Sequence, residues 1–155
     1  MQAERPDLGR LVEADRALMA ELHGLDTERV MRRSTGGGWA CGLLAEAWRD
    51  IGRRGGICGL LQQPLAHGIG VEVGYHLLPD LHDRRIATES AASLLDYGFV
   101  GSPHQRVVSL TSPDDTASQS VARNKGLRPE RDVEFRDMIH GMFTIDRSQY
   151  EDQRR

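Results

Sequence analysis

The stretch that most constrains this 155-residue chain is a strand, a loop and a helix read in succession from Val71 to Glu89. Val71, Val73, Tyr75 and Leu77 alternate with Glu72, Gly74 and His76, the two-residue period of a β-strand with one buried face. Pro79 and Asp80 end it, because proline has no N–H to give a ladder. Asp80 to Arg85 is then a polar loop. From Ala87 to Val100 the apolar positions Ala87, Ala91, Leu94, Leu95 and Gly98 argue a helix packed on a sheet. A loop that leaves a strand and enters a helix aims backbone N–H groups and a positive dipole end at one point, which suits a phosphate or pyrophosphate.

The remaining elements fall around that unit. Leu11, Ala14, Leu18 and Leu22 recur at helical spacing, predicting a helix from Leu11 to His23, and a shorter one follows over Asp26 to Arg33. Gly36-Gly37-Gly38 breaks the chain. Trp39 to Trp48 is read as helix on Ala40, Leu43, Leu44 and Ala47. The alternative is a strand, because Arg49-Asp50-Ile51-Gly52-Arg53 resembles a hairpin turn into the strand Gly56 to Leu61. Arg106 to Thr111 is a short β-branched strand, Ser112-Pro113-Asp114-Asp115 a turn, and Thr116 to Lys125 a helix stopped by Gly126. Asp132 to Phe135 and Met138 to Ile145 close the chain as an antiparallel pair. The alternation of strand and helix predicts one α/β or α+β domain over residues 1–155.

Composition excludes some partners. A formal net charge of -3 provides no basic field for nucleic acid. Cys41 and Cys58 form neither a disulfide framework nor a metal-ligand pattern, and Cys58, within Ile57-Cys58-Gly59-Leu60-Leu61, reads as a small buried hydrophobe. The six histidines show no metal spacing. Glu4, Arg5, Pro6 and Asp7 stand where a signal peptide needs an apolar core, and no apolar run approaches the ~20 residues of a membrane span. The expectation is a cytoplasmic protein without membrane contact.

Several ordered motifs are similar to the GNAT superfamily of N-acetyltransferases, particularly its branch of ribosomal-protein N-terminal acetyltransferases. They are Glu72-Val73-Gly74-Tyr75, Pro79, Ala87-Thr88-Glu89, Asp115-Thr116-Ala117-Ser118, Gly126-Leu127 and Arg128-Pro129-Glu130-Arg131-Asp132-Val133-Glu134-Phe135. Arg53-Arg54-Gly55-Gly56-Ile57-Cys58-Gly59-Leu60 resembles the preceding strand, so the likeness runs from Gly52 to Ile145. The resemblance implies a GNAT-like mixed, mostly antiparallel central sheet flanked by helices, here with a shortened N-terminal half. It further implies acetyl transfer from acetyl-coenzyme A to a primary amine, on a small molecule or a protein N-terminus, by direct attack in a ternary complex. A monomer or homodimer without a metal is expected.

In that reading Leu77, Leu78, His82, Asp83, Arg84, Arg85, Ile86, Ala87, Thr88, Asp115 and Ser118 bind the cofactor. Ser118 matches a serine close to the leaving sulfur, with a locally bonded helix serine as the alternative. Glu134 is the first choice of general base and Glu72 the second, each with a solvated strand glutamate as its alternative; Tyr75 is a proton donor or a core aromatic. Three departures stand out. Asp83 and Arg85 replace the phosphate-loop glycines, leaving either a rewired site, with Arg84 and Arg85 contacting phosphate, or a lost one. Asp115 replaces an asparagine and cannot donate, though it caps a helix equally well. The chain before Gly56 is short for the branch. The competing reading is a degenerate, non-catalytic GNAT-fold binding protein.

Overall fold

A computed structural model describes residues 7–10, 43–48, 53–66 and 68–155. Strands β1 (Asp7–Arg10), β2 (Leu43–Trp48), β3 (Arg53–Leu65), β4 (Gly68–Leu77), β5 (Arg106–Thr111), β6 (Arg128–Phe135) and β7 (Met138–Asp146) build a seven-stranded sheet, ordered β1-β2-β3-β4-β5-β7-β6. Neighbours are antiparallel except β4 and β5, which run parallel. Helices α1 (Ile86–Val100), α2 (Thr116–Asn124) and α3 (Arg147–Asp152) join it, and a 3-10 turn covers Pro79–Leu81. This is the mixed, mostly antiparallel sheet with helices that the motifs imply.

One reading is corrected. Leu43–Trp48 is not helix but strand β2, antiparallel to β3 with Trp48 opposite Arg53. Helix propensity differs by only a few tenths of a kcal/mol per residue among Ala, Leu and Glu, so a ladder offered by the returning strand outweighs it. The hairpin-turn alternative is the one realised. The helices expected at Leu11–His23 and Asp26–Arg33 lie outside the described residues, as do residues 39–42. Both front strands, β1 and β2, are in the sheet. Helix α3 was not expected; Asp146 and Gln149 start it with a capping box.

The core lies between the sheet and α1. Ala91, Leu94, Leu95 and Phe99 of α1 pack on Cys58, Leu60, Val73 and Val107, with Phe143 and Ile145 of β7 and Ala122 and Leu127 beside them. Full burial of each large apolar side chain contributes about 1.5–3 kcal/mol. Cys58 is a buried free cysteine within this cluster, as its apolar neighbours predict. Gly98 permits the close approach of α1, since a Cβ there would meet Leu60 Cδ1 at 3.1 Å. Arg147 holds the far end of α1 by donating to the carbonyls of Phe99, Ser102 and His104. The near end of α1 is thereby aimed at the loop that follows β4.

Candidate functional site

Strands β4 and β5 register through one pair, Glu72 with Val108. On its other edge β4 is paired with β3 along its whole length, from Leu65 opposite Gly68 to Gly56 opposite Leu77. Among the described residues β4 therefore has no ladder partner on the β5 side beyond Glu72, and the gap along Val73 to Leu77 is the candidate cleft. Helix α1 begins just past the end of that cleft.

The loop between them combines buried anchors with exposed charge. Leu78, Leu81 and Ile86 are 1–2% exposed, whereas His82, Asp83, Arg84 and Arg85 all stand in solvent. His82 lies with Nε2 3.1 Å from the Leu77 carbonyl, which can accept from it and closes the loop on the strand. Asp83 (φ 59°) and Arg85 (φ 64°) adopt the left-handed conformation that glycine takes without strain. These are the two positions where the resembling family has glycine, so the backbone path survives the substitutions. Arg85 is also the N-cap of α1 and offers no side-chain cap. The first α-helical bond runs from Glu89 N–H to the Arg85 carbonyl, so the N–H groups of Ile86, Ala87 and Thr88 have no partner inside the helix. Open N–H groups, the positive end of a 15-residue helix and two exposed guanidinium residues fit an anion of diphosphate size. Asp83 in the loop and Glu89 in the first turn of α1 are acidic groups opposed to it.

The period of β4 sends its functional side chains to opposite faces. Register with β3 places Glu72 opposite Leu61 and Val73 opposite Leu60, and Val73, Leu60 and Cys58 belong to the core under α1. Tyr75 therefore projects toward that core and α2, while Glu72 projects from the other face. Tyr75 Oη donates to the Ser118 carbonyl at 3.0 Å, and burial pushes its pKa up to about 12, so the phenol stays protonated. Ser118 Oγ donates to Asp115 Oδ2 at 2.7 Å and its N–H donates to Asp115 Oδ1 at 3.0 Å. Asp115 is thus the cap of α2, and its side chain is engaged with Ser118.

Glu72 is 9% exposed, not a solvated strand glutamate. Its carboxylate accepts from Gln63 Nε2 at 2.6 Å and from the Leu110 backbone N–H. Leu110 follows the point where β5 parts from β4, so the side chain of Glu72 replaces a missing strand partner at the apex of the cleft. Burial raises the Glu72 pKa, against the opposing effects of the Gln63 and Leu110 bonds and the charges of Arg136 and His140. Glu134 sits elsewhere: it is exposed on edge strand β6, opposite Ile139, with β7 and β5 between it and β4. Three strand spacings of ~4.8 Å make that separation roughly 14 Å. The structure thus brings Tyr75, Ser118 and Asp115 together and sets Glu72 across the strand from them; Glu134 is not part of the group.

Gln63 was not singled out from the sequence. The signal was available, because a hairpin joining β3 to β4 puts residues 63 and 72 on one face. Among the described residues no group of three metal-binding side chains occurs, and no helix is long and apolar enough to cross a membrane.

The family model described as "Acetyltransferase (GNAT) domain" matches residues 6–128. That match reaches further toward the front of the chain than the motifs quoted above. Among solved structures, the chain is similar to a protein described as a GnaT-family acetyltransferase from Bordetella pertussis, with 19% identity, 93% of this chain and 97% of that one covered, and a TM-score of 0.77. It is similar also to an acetyltransferase from Agrobacterium tumefaciens str. C58, at 22% identity, 94% and 92% coverage and a TM-score of 0.76. A mutant spermidine N-acetyltransferase from Vibrio cholerae gives 11% identity, 98% and 99% coverage and a TM-score of 0.76. At such identities the likeness to these structures shows the fold alone. No curated protein matches the chain.

Proposed function

The chain belongs to the GNAT acetyltransferase family, and on that premise we propose that it is an acetyl-coenzyme A-dependent N-acetyltransferase acting on a primary amine. The observation that carries this reading is the cleft of β4, with a buried carboxylate on one face, a protonated phenol on the other, and an open helix start at its end. The ribosomal-protein-like branch rests on the motifs around Glu72 and Asp115. An acceptor that is a small amine is supported by the fold shared with a spermidine N-acetyltransferase, and a protein N-terminus presents the same nucleophile. A single domain over residues 1–155 working in the cytoplasm belongs to this reading too.

Bound acetyl-coenzyme A would supply an activated acetyl thioester. The N–H groups of Ile86, Ala87 and Thr88, with Arg84 and Arg85, would hold its diphosphate, and the open edge of Val73 to Leu77 its pantetheine arm. Glu72 takes the proton of the attacking amine at its carboxylate, which its raised pKa makes a better base than a solvent-exposed glutamate. Tyr75 Oη and Ser118 Oγ lie on the opposite face, and each would turn its single O–H from its present acceptor, the Ser118 carbonyl or Asp115 Oδ2, to the sulfur that departs. With its pKa near 12, Tyr75 stabilises the thiolate and keeps its own proton. Holding amine and thioester in contact at the open edge of one strand supplies alignment, which by itself is worth several kcal/mol.

Free-thiol release across a panel of primary amines tests the proposal, with calorimetric titration of coenzyme A alongside. Thiol release that depends on both amine and protein is the expected result. Coenzyme A binding without release would leave the degenerate binding protein, and neither would remove the acyl donor from the account.

A further inference from the structure

Gln63 lies on β3, 3% exposed, on the same face as Glu72. Its two amide ends are used unequally. Nε2 donates to Glu72 Oε2 at 2.6 Å, while Oε1 is buried without a hydrogen-bond partner. A buried acceptor left unpaired costs about as much as a lost hydrogen bond, so it calls for a donor from outside the chain. Because Nε2 is tied to Glu72, that donor must arrive next to the carboxylate.

The amine that Glu72 deprotonates is such a donor. A neutral primary amine carries two N–H groups. When its nitrogen forms the C–N bond, the C–S bond breaks, the sulfur leaves as thiolate, and one N–H proton passes to the Glu72 carboxylate. The second N–H stays on nitrogen and becomes the amide N–H of the product. Two neighbouring acceptors, a carboxylate and an amide oxygen, match those two hydrogens. A secondary amine has one N–H, gives it to Glu72, and leaves Gln63 Oε1 unpaired. A site with a paired acceptor rejects a ligand lacking the matching donor more strongly than a hydrophobic pocket rejects a misfit.

We propose that Gln63 is a specificity-determining residue, its unpaired amide oxygen receiving the N–H that the attacking nitrogen keeps, so that the site selects primary over secondary amines. This rests on the acetyltransferase reading above. Through Nε2 the same side chain also positions the base.

The test uses the full chain with n-butylamine and N-methylbutylamine as probes, saturating acetyl-coenzyme A and thiol release. Gln63→Met keeps length and removes both polar ends; Gln63→Leu is the second variant should the first fold poorly. Wild type should favour the primary amine about tenfold or more in kcat/KM, the size of one hydrogen bond to a buried acceptor. In either variant that preference should fall toward parity. The acid limb of the pH profile should move to higher pH, because the bond from Gln63 lowers the Glu72 pKa, and coenzyme A affinity should not change. A purely structural Gln63 would alter thermal stability while leaving the amine ratio and the acid limb in place, and that result overturns the assignment alone. A wild type that treats the two amines equally overturns it too. No thiol release from wild type with any amine overturns the acetyltransferase reading and this inference together.

Discussion

Replacing Arg85 and Asp83 by glycine separates what their backbone costs from what their side chains do. Both residues hold left-handed backbone, at φ 64° and 59°. For a non-glycine residue that conformation costs about 1–2 kcal/mol, whereas a new glycine adds about 0.4–1 kcal/mol of unfolded-chain entropy. The difference is a net stabilisation of about 0.5–1 kcal/mol at each site, larger at Arg85 because aspartate tolerates this region better. A 155-residue chain gains about 2–4 °C in Tm per kcal/mol, so the double variant should melt roughly 2–8 °C higher. Coenzyme A affinity should diverge. Arg85→Gly should weaken binding about tenfold by losing a charge-assisted phosphate contact, and Asp83→Gly should strengthen it by removing an opposed charge. Differential scanning fluorimetry without ligand and calorimetry with coenzyme A read the two effects apart. Arg85→Ala is the control, since a Cβ retains the strain. A lower Tm for Arg85→Gly, or an equal rise for Arg85→Ala, would refute the claim that this loop follows a glycine path without glycine.

Three further outcomes follow from the site and its surroundings. Glu72→Gln should reduce kcat at least ~100-fold, as loss of a general base does. A carboxylate whose folded pKa is raised adds stability below its unfolded value near 4.5 and loses it as pH rises through the folded value; the variant should therefore melt above wild type at pH 8, with the gain gone below pH 4.5 in parallel melts. Tyr75→Phe removes the donor to the Ser118 carbonyl and should cost about 0.5–1.5 kcal/mol in denaturant titration. Its kcat should fall with the acid limb unmoved, because a group titrating near 12 has no part in that limb. Arg136 (φ 52°) and Asp137 (φ 60°) form a two-residue hairpin turn between β6 and β7, where a glycine at the second position is preferred. Asp137→Gly should raise Tm by about 1–3 °C without changing thiol release, and a drop would contradict that turn.

The sequence by itself determined the elements whose signal is local. The alternation from Val71 to Leu77, the stop at Pro79, the apolar face of α1, the Asp115 cap and the Gly126 stop of α2 are each written within a few neighbouring residues, and each element formed close to where they put it. The tertiary structure decided what depends on residues far apart. Leu43–Trp48 has the composition of a helix and became a strand because β3 returned beside it. Whether Asp83 and Arg85 destroyed the loop could not be read from their identities, because side chains do not report the backbone dihedral they are held in, and Leu78, Leu81 and Ile86 anchor that path from within the core. Glu72 and Glu134 are alike as letters on strands. Only the assembled sheet buries one, with Gln63 of β3 and the Leu110 N–H of β5 as its partners, and leaves the other in water on an edge, since desolvation is a property of the whole sheet and not of any segment of chain.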